Sequence, residues 1–224
     1  MNRRILLLIT MLVAALQMNA QIDDEYKMEV GAGVGMVGYL GDYNDNIAKC
    51  MQPSGMVVLR RNFNPYMGLR LTGTLGKLKG SYKDEKTYYP ENAEYSFNRS
   101  MVDVNVVYEY NFWPYGTGFD YRGAKRFTPY IYIGLGGTYV SGNSNNVLAM
   151  NIPLGLGVKY KVTERLNVGL DWGIHFALSD KLDGVVDPYS VRSSGAFKNK
   201  DAFTTLQLSL TYSFAAKCKT CNKD

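Results

Sequence analysis

The chain has 224 residues, enough for one domain, and its 46% hydrophobic content and mean hydropathy of −0.19 match an ordinary water-soluble protein. The formal net charge of +5 falls to +3 without Arg3 and Arg4, too weak and dispersed to argue for a nucleic-acid partner. These averages do not exclude a membrane barrel, whose strands are polar at every second residue, and the 18 tyrosines and 23 glycines suit one.

Residues 1–20 have a basic start, an apolar run from Ile5 to Leu16 and a small residue at Ala20, which reads as a secretory signal peptide. No cysteine follows Ala20, so no lipoprotein anchor is expected, and no later run is apolar enough for a membrane helix. A chain of this kind crosses a membrane only as a closed barrel.

The first expected strand, about Met28 to Leu40, sets Met28, Val30, Ala32, Val34, Met36 and Leu40 against Glu29, Gly31, Gly33, Gly35, Val37 and Tyr39. A Gly-Asp-Tyr-Asn-Asp-Asn stretch ends it. The second, about Ser54 to Phe63, turns Val57, Leu59, Arg61 and Phe63 outward and Arg60 inward, and Asn62 to Tyr66 makes a tight turn. Met67, Leu69, Leu71 and Leu75 define the outer face of the third, opposite Arg70, Thr72 and Thr74; a long polar loop is expected from Gly80 to about Asn98. The fourth places Val102, Val104, Val106, Tyr108, Tyr110 and Phe112 outside against Asp103, Asn105, Glu109 and Asn111. After a glycine-rich link from Trp113 to Arg126, the fifth alternates Ile131, Ile133, Leu135 and Tyr139 with Tyr130, Tyr132, Gly134, Gly136 and Thr138. In the sixth, Ile152, Leu154, Leu156, Val158, Tyr160 and Val162 oppose Pro153, Gly155, Gly157, Lys159 and Lys161.

The clearest alternation is Leu166 to Leu178, LNVGLDWGIHFAL, with leucine, valine, tryptophan, isoleucine and phenylalanine on one face. Its other face mixes glycine with Asp171 and His175, a poor solvent face for a soluble strand but a good lining for a narrow barrel. A loop from about Ser179 to Asp201 leads to the last strand, where Leu206, Leu208, Leu210, Tyr212 and Phe214 oppose Gln207, Ser209, Thr211 and Ser213. The expectation is all-β: an eight-stranded antiparallel transmembrane β-barrel over residues 21–214, with a periplasmic tail over 215–224. Both termini are expected in the periplasm, and Phe63, Tyr66, Tyr108, Tyr110, Phe112, Trp113, Tyr160, Tyr212 and Phe214 gather near that rim as an aromatic girdle.

The inward set balances Glu29, Asp103, Glu109 and Asp171 against Arg60, Arg70, Lys159 and Lys161, which suggests internal ion pairs filling the lumen rather than lining a pore. His175 is the single histidine; Asp171 shares its face but sits about 13 Å along the strand, so any catalytic partner has to come from across the barrel. No nucleophile motif, phosphate loop or metal-spaced histidine pair is present, and no cofactor is expected. Cys50 lies in the first outer loop, away from Cys218 and Cys221 in the tail. The tail pair forms a local bridge, stays inert or makes an intermolecular disulfide, with Lys217, Lys219 and Lys223 able to meet an acidic surface. Tyr82, Tyr88, Tyr89, Tyr95 and Phe97 crowd the second outer loop and suit either an interface or packing on the rim.

VGYLGDYND, MQPSGMVVLRRNFNPYMGLRLTGTLGKLKG, YEYNFWPYG, FTPYIYIGLGG and IPLGLGVKYKVTERLNVGLDWGIHFALSDKLDGV together resemble the PorG family, the small outer-membrane barrels of the type IX secretion system of Bacteroidota. The resemblance spans Val37 to Phe214 and lies in strand and turn phrasing rather than in a site motif. It implies a non-enzymatic barrel in outer-membrane lipid that anchors a periplasmic ring of the PorK lipoprotein and PorN. The contacts it would use are the link, through Trp113, Tyr115, Arg122, Lys125 and Arg126, and the tail, through Lys217, Cys218, Lys219 and Cys221. A structural or adhesin-type barrel acting through its outer loops, or a lipid-modifying enzyme centred on His175, are the competing readings.

Overall fold

The computed structural model describes residues 26–40, 51–81, 96–116, 124–141, 146–178 and 202–216. Eight strands form one closed antiparallel barrel in simple chain order: β1 (Tyr26–Leu40), β2 (Gln52–Asn64), β3 (Met67–Ser81), β4 (Ser96–Asn111), β5 (Phe127–Ser141), β6 (Val147–Lys161), β7 (Leu166–Ala177) and β8 (Ala202–Ala216). β8 closes on β1 from Tyr26↔Ala216 to Leu40↔Ala202, so no edge is left open.

The alternation read from the sequence is realised with the apolar faces outward and the charged ones inward, as expected. Val34 (67% exposed), Val57, Leu75, Leu135, Leu154, Leu156, Leu208 and Leu210 stand on the outer wall, while Glu29, Arg60, Arg70, Glu109, Lys159 and Asp171 are buried within. Apolar groups turned out and charges turned in, with every backbone ladder closed, is the arrangement that hydrocarbon rather than water solvates.

Glycines let the wall curl this tightly. A Cβ on Gly31 would strike the backbone of Leu210 and Thr211 in β8, and one on Gly134 the backbone of Val106 and Val107 in β4. On the outer face, Gly137 has nothing within 4 Å of such a Cβ.

The strands run further than the alternation indicated. β3 and β4 pair on through Lys79↔Asn98 to Ser81↔Ser96, so much of the expected Gly80–Asn98 loop edge is ladder. At the far end β8 continues through Ala215, at φ 57°, to Ala216, where a tail was expected from Ala215. Fifteen-residue strands follow a path of about 50 Å, or about 38 Å when tilted, which exceeds an apolar band of roughly 25 Å. Polar residues of the overhang therefore look like loop although they belong to the ladder. Met67 has the outward parity of Leu69 yet is buried, beside a register shift between Asn62 and Asn64 that breaks strict alternation. The leader, Cys50, the Tyr82–Tyr95 loop, Arg122 and the tail from Lys217 lie outside the described residues.

Candidate functional site

The lumen is filled in layers. At the loop end Val37, Tyr39, Leu78, Met101, Val140, Ala149, Ala177 and Phe203 form an apolar plug. Beneath it the Asp103 carboxylate accepts hydrogen bonds from Thr138 (2.9 Å), Asn151 (2.7 Å) and Asn105. His175 faces this layer from β7: its Nδ1 is 3.5 Å from Asp103, its Nε2 lies 3.3 Å from the Thr205 hydroxyl, and its ring stacks on Phe203 at 4.4 Å. The partner from across the barrel is thus an acid on β4 rather than Asp171. The neighbouring cavity, lined among others by Arg70, Asp171, His175 and Gln207, holds about 10 Å³, room for roughly one water and no substrate.

The next layer joins the charges. Glu109, fully buried, sits between Arg60 (2.9 Å), Arg70 (2.8 Å) and Lys159 (2.9 Å); Arg60 also pairs with Glu29 at 2.5 Å, and Arg70 reaches Asp171 at 3.1 Å. The Nε atoms of both arginines approach Glu109 out of hydrogen-bond alignment, so those two are charge contacts rather than directed bonds. Three carboxylates meet three cations, which leaves the layer neutral. The Thr211 hydroxyl adds β8 through Glu29 (3.1 Å) and the Tyr130 hydroxyl adds β5 through Asp171 (3.3 Å), so one network touches all eight strands. Arg70 also lies over the Tyr132 ring at 4.7 Å, and a Cβ on Gly155 or Gly173 would run into that ring. The two tyrosines were legible as inward by parity; their part in holding Arg70 and Asp171 was not.

Two of the expected ion-pair residues have further roles. Asp103 belongs to the hydrogen-bonded layer around His175, and Lys161 lies over the rings of Tyr115 (5.2 Å) and Tyr26 (5.7 Å) at the mouth. Among the described residues no group of three or more His, Cys, Asp or Glu side chains could hold a metal ion.

Tyr115, one of the expected partner contacts of the β4–β5 link, is only 6% exposed at the terminal mouth. Its N–H donates to the Pro65 carbonyl at 3.1 Å, its hydroxyl donates to Asn167 at 3.0 Å, and its ring lies between Lys159 and Lys161. A parallel bridge to Lys125 folds the link back on itself, so the ring stoppers the lumen instead of pointing away. Burial, with the Glu29 carboxylate nearby, pushes the Tyr115 phenol well above its ordinary pKa and keeps it neutral. The other described link residues stay accessible: Trp113 is 39% exposed, with Lys125 over its ring at 4.6 Å, and Arg126 is exposed.

At the same rim Phe63, Phe112, Phe127, Tyr160, Tyr212 and Phe214 stand on the outer wall. Arg61 lies over Phe63 at 5.7 Å. In the β6–β7 turn, Arg165 donates from Nη1 to the Tyr212 hydroxyl (3.0 Å) and from Nε to that of Tyr26 (3.4 Å), which raises its already high pKa. The Arg165 carbonyl accepts from the Ser213 N–H at 2.7 Å, so the turn is tied to β8 by main chain and side chain together.

Comparison with solved structures finds the Neisserial surface protein A (NspA) at 14% identity and a TM-score of 0.49, over 84% of this chain and 97% of that one. The attachment invasion locus protein Ail of Yersinia pestis, in complex with the heparin analogue sucrose octasulfate, matches at 10% identity and a TM-score of 0.48, over 85% and 99%. The N-terminal β-barrel domain of Pseudomonas aeruginosa OprF matches at 12% and 0.44, over 84% and 99%. No curated protein matches. A family model matches residues 3–223, and the chain belongs to that family, described as a domain of unknown function, DUF6089.

Proposed function

We propose that this chain is a non-enzymatic outer-membrane barrel of the type IX secretion system, with both termini in the periplasm, where it anchors the ring of the PorK lipoprotein and PorN. The observation that carries the reading is the filled lumen, with its charge-balanced ion layer, inside an apolar wall. The cavity beside His175 holds about 10 Å³, too little for a substrate, so rims and connections are the surfaces left for other proteins. The strand and turn phrasing from Val37 to Phe214 supports the particular assignment. Trp113, Lys125 and Arg126 at the rim, with Arg122, Lys217, Cys218, Lys219 and Cys221 in neighbouring chain, are the proposed contacts; Tyr115 serves inside the mouth.

The test is a mild-detergent pull-down of the tagged full chain from envelopes, with partners identified by mass spectrometry. Recovery of PorK and PorN, reduced by a Trp113→Ala/Lys125→Ala/Arg126→Ala variant that still folds, is the expected result. Recovery of extracellular ligands through the loops, with no ring proteins, overturns it. If a tail cysteine bridges to a partner, a non-reducing gel shows a heavier reducible species that Cys218→Ser/Cys221→Ser removes.

A further inference from the structure

The outer wall carries a feature that neither the lumen nor the ring contacts use. A groove of about 400 Å³ runs along β7, β8 and β1, lined by Ala32, Gly33, Val34, Val168, Leu208, Ser209 and Leu210. Its floor is low because Ala32, between Val30 and Val34 on the outward face, has only a methyl group where its neighbours carry larger side chains. The registers place it directly above the Arg165 cluster. Val168 pairs with Leu210 and Leu166 with Tyr212, while on the other side Ala32 pairs with Leu210 and Val30 with Tyr212. The groove thus opens two residues, about 7 Å, from the Tyr212 position.

Arg165 at its foot is exposed but held in place. Two of the five guanidinium N–H donors go to Tyr212 and Tyr26, which leaves three (5 − 2) for another acceptor. Its plane lies over the Tyr26 ring at 5.6 Å, and the two tyrosine hydroxyls that accept from it keep their own protons to donate. Arg165 forms no ion pair among the described residues, and the adjacent Glu164 is exposed. A fixed fork of N–H groups beside two hydroxyls offers donors to several oxygens at once, as a phosphodiester presents them.

We propose that β7, β8 and β1 form a phospholipid site on the outer wall, in which Arg165, Tyr26 and Tyr212 hold the phosphodiester of an anionic headgroup and the Ala32 groove holds an acyl chain. The proposal rests on the membrane-spanning reading, not on the identity of the secretion partners. An anionic lipid is favoured over a zwitterionic one because the rim cations Arg61, Lys125, Arg126 and Arg165 face one described acid, Glu164.

The test reconstitutes the full chain into phosphatidylcholine vesicles with and without phosphatidylglycerol, extracts it gently and measures retained lipid by native mass spectrometry. Retention of phosphatidylglycerol over phosphatidylcholine by about fivefold is expected from one interfacial arginine. Arg165→Gln abolishes the preference, and Tyr26→Phe/Tyr212→Phe, which keeps both rings, weakens it. Ala32→Phe fills the groove and lowers phosphatidylglycerol retention although the headgroup site is intact. Equal retention of the two lipids, or an Arg165→Gln protein that behaves like the wild type, overturns the site. Glycerophosphoglycerol or inorganic phosphate displacing the lipid at equal concentration overturns the acyl-chain half. Heat-modifiable gel migration after reconstitution in pure phosphatidylcholine separates the two levels: a barrel that inserts without lipid preference sinks only the site, and one that fails to insert sinks the membrane reading with it.

Discussion

Glu109 shows how much a single side chain carries in this lumen. It faces three cations with no access to water, so Glu109→Gln leaves Arg60, Arg70 and Lys159 with two carboxylates between them. Removing one member of a buried charge cluster typically costs about 3–5 kcal/mol, and urea unfolding in detergent micelles should show a loss of that order. His175→Ala should leave folding and export close to normal, since its contact to Asp103 is 3.5 Å long and its surroundings keep their own hydrogen bonds. Lost export from a normally folded His175→Ala barrel would contradict this. Parity alone put Glu29, Arg60, Arg70, Glu109, Lys159 and Asp171 on the inner face. It could not say that Arg70 of β3 crosses to Asp171 of β7, because that pairing depends on how strands are staggered around the closed wall, which spacing within one strand does not encode.

At the level of strands, two glycines on β5 separate close approach from mere presence. Gly134→Val would push a side chain into the β4 backbone at Val106 and Val107, and should abolish the heat-modifiable band on a gel. Gly137→Val, which would project from the outer wall into open space, should keep that band. Strand existence and facing were legible because each strand carries its own two-sided pattern. Strand ends were not: Gly80, Ser81, Ser96, Phe97 and Asn98 read as loop, although the ladder continues through them. The β4–β5 link misled for a related reason. Its length suggested a docking element, and nothing in the local sequence told that Tyr115 would turn back to lie under the ammonium groups of Lys159 and Lys161.

For the molecule as a whole, the plug at one end, the ion network and the Tyr115 stopper at the other fill the lumen at successive levels among the described residues. The full chain in planar bilayers should give no stepwise conductance, and regular single-channel steps from the folded protein would show that the lumen opens. The closure of β8 onto β1 governs how such a body comes into being. Its seam joins residues such as Glu29 and Thr211, which are 182 positions apart. Non-local pairing of that span makes folding slow. Until the last strand is delivered, Glu29 lacks its Thr211 donor and the ladder groups of β1 and β7 that face β8 stay unpaired. Truncation before Ala202 should therefore yield material that is degraded in transit rather than a seven-stranded remnant.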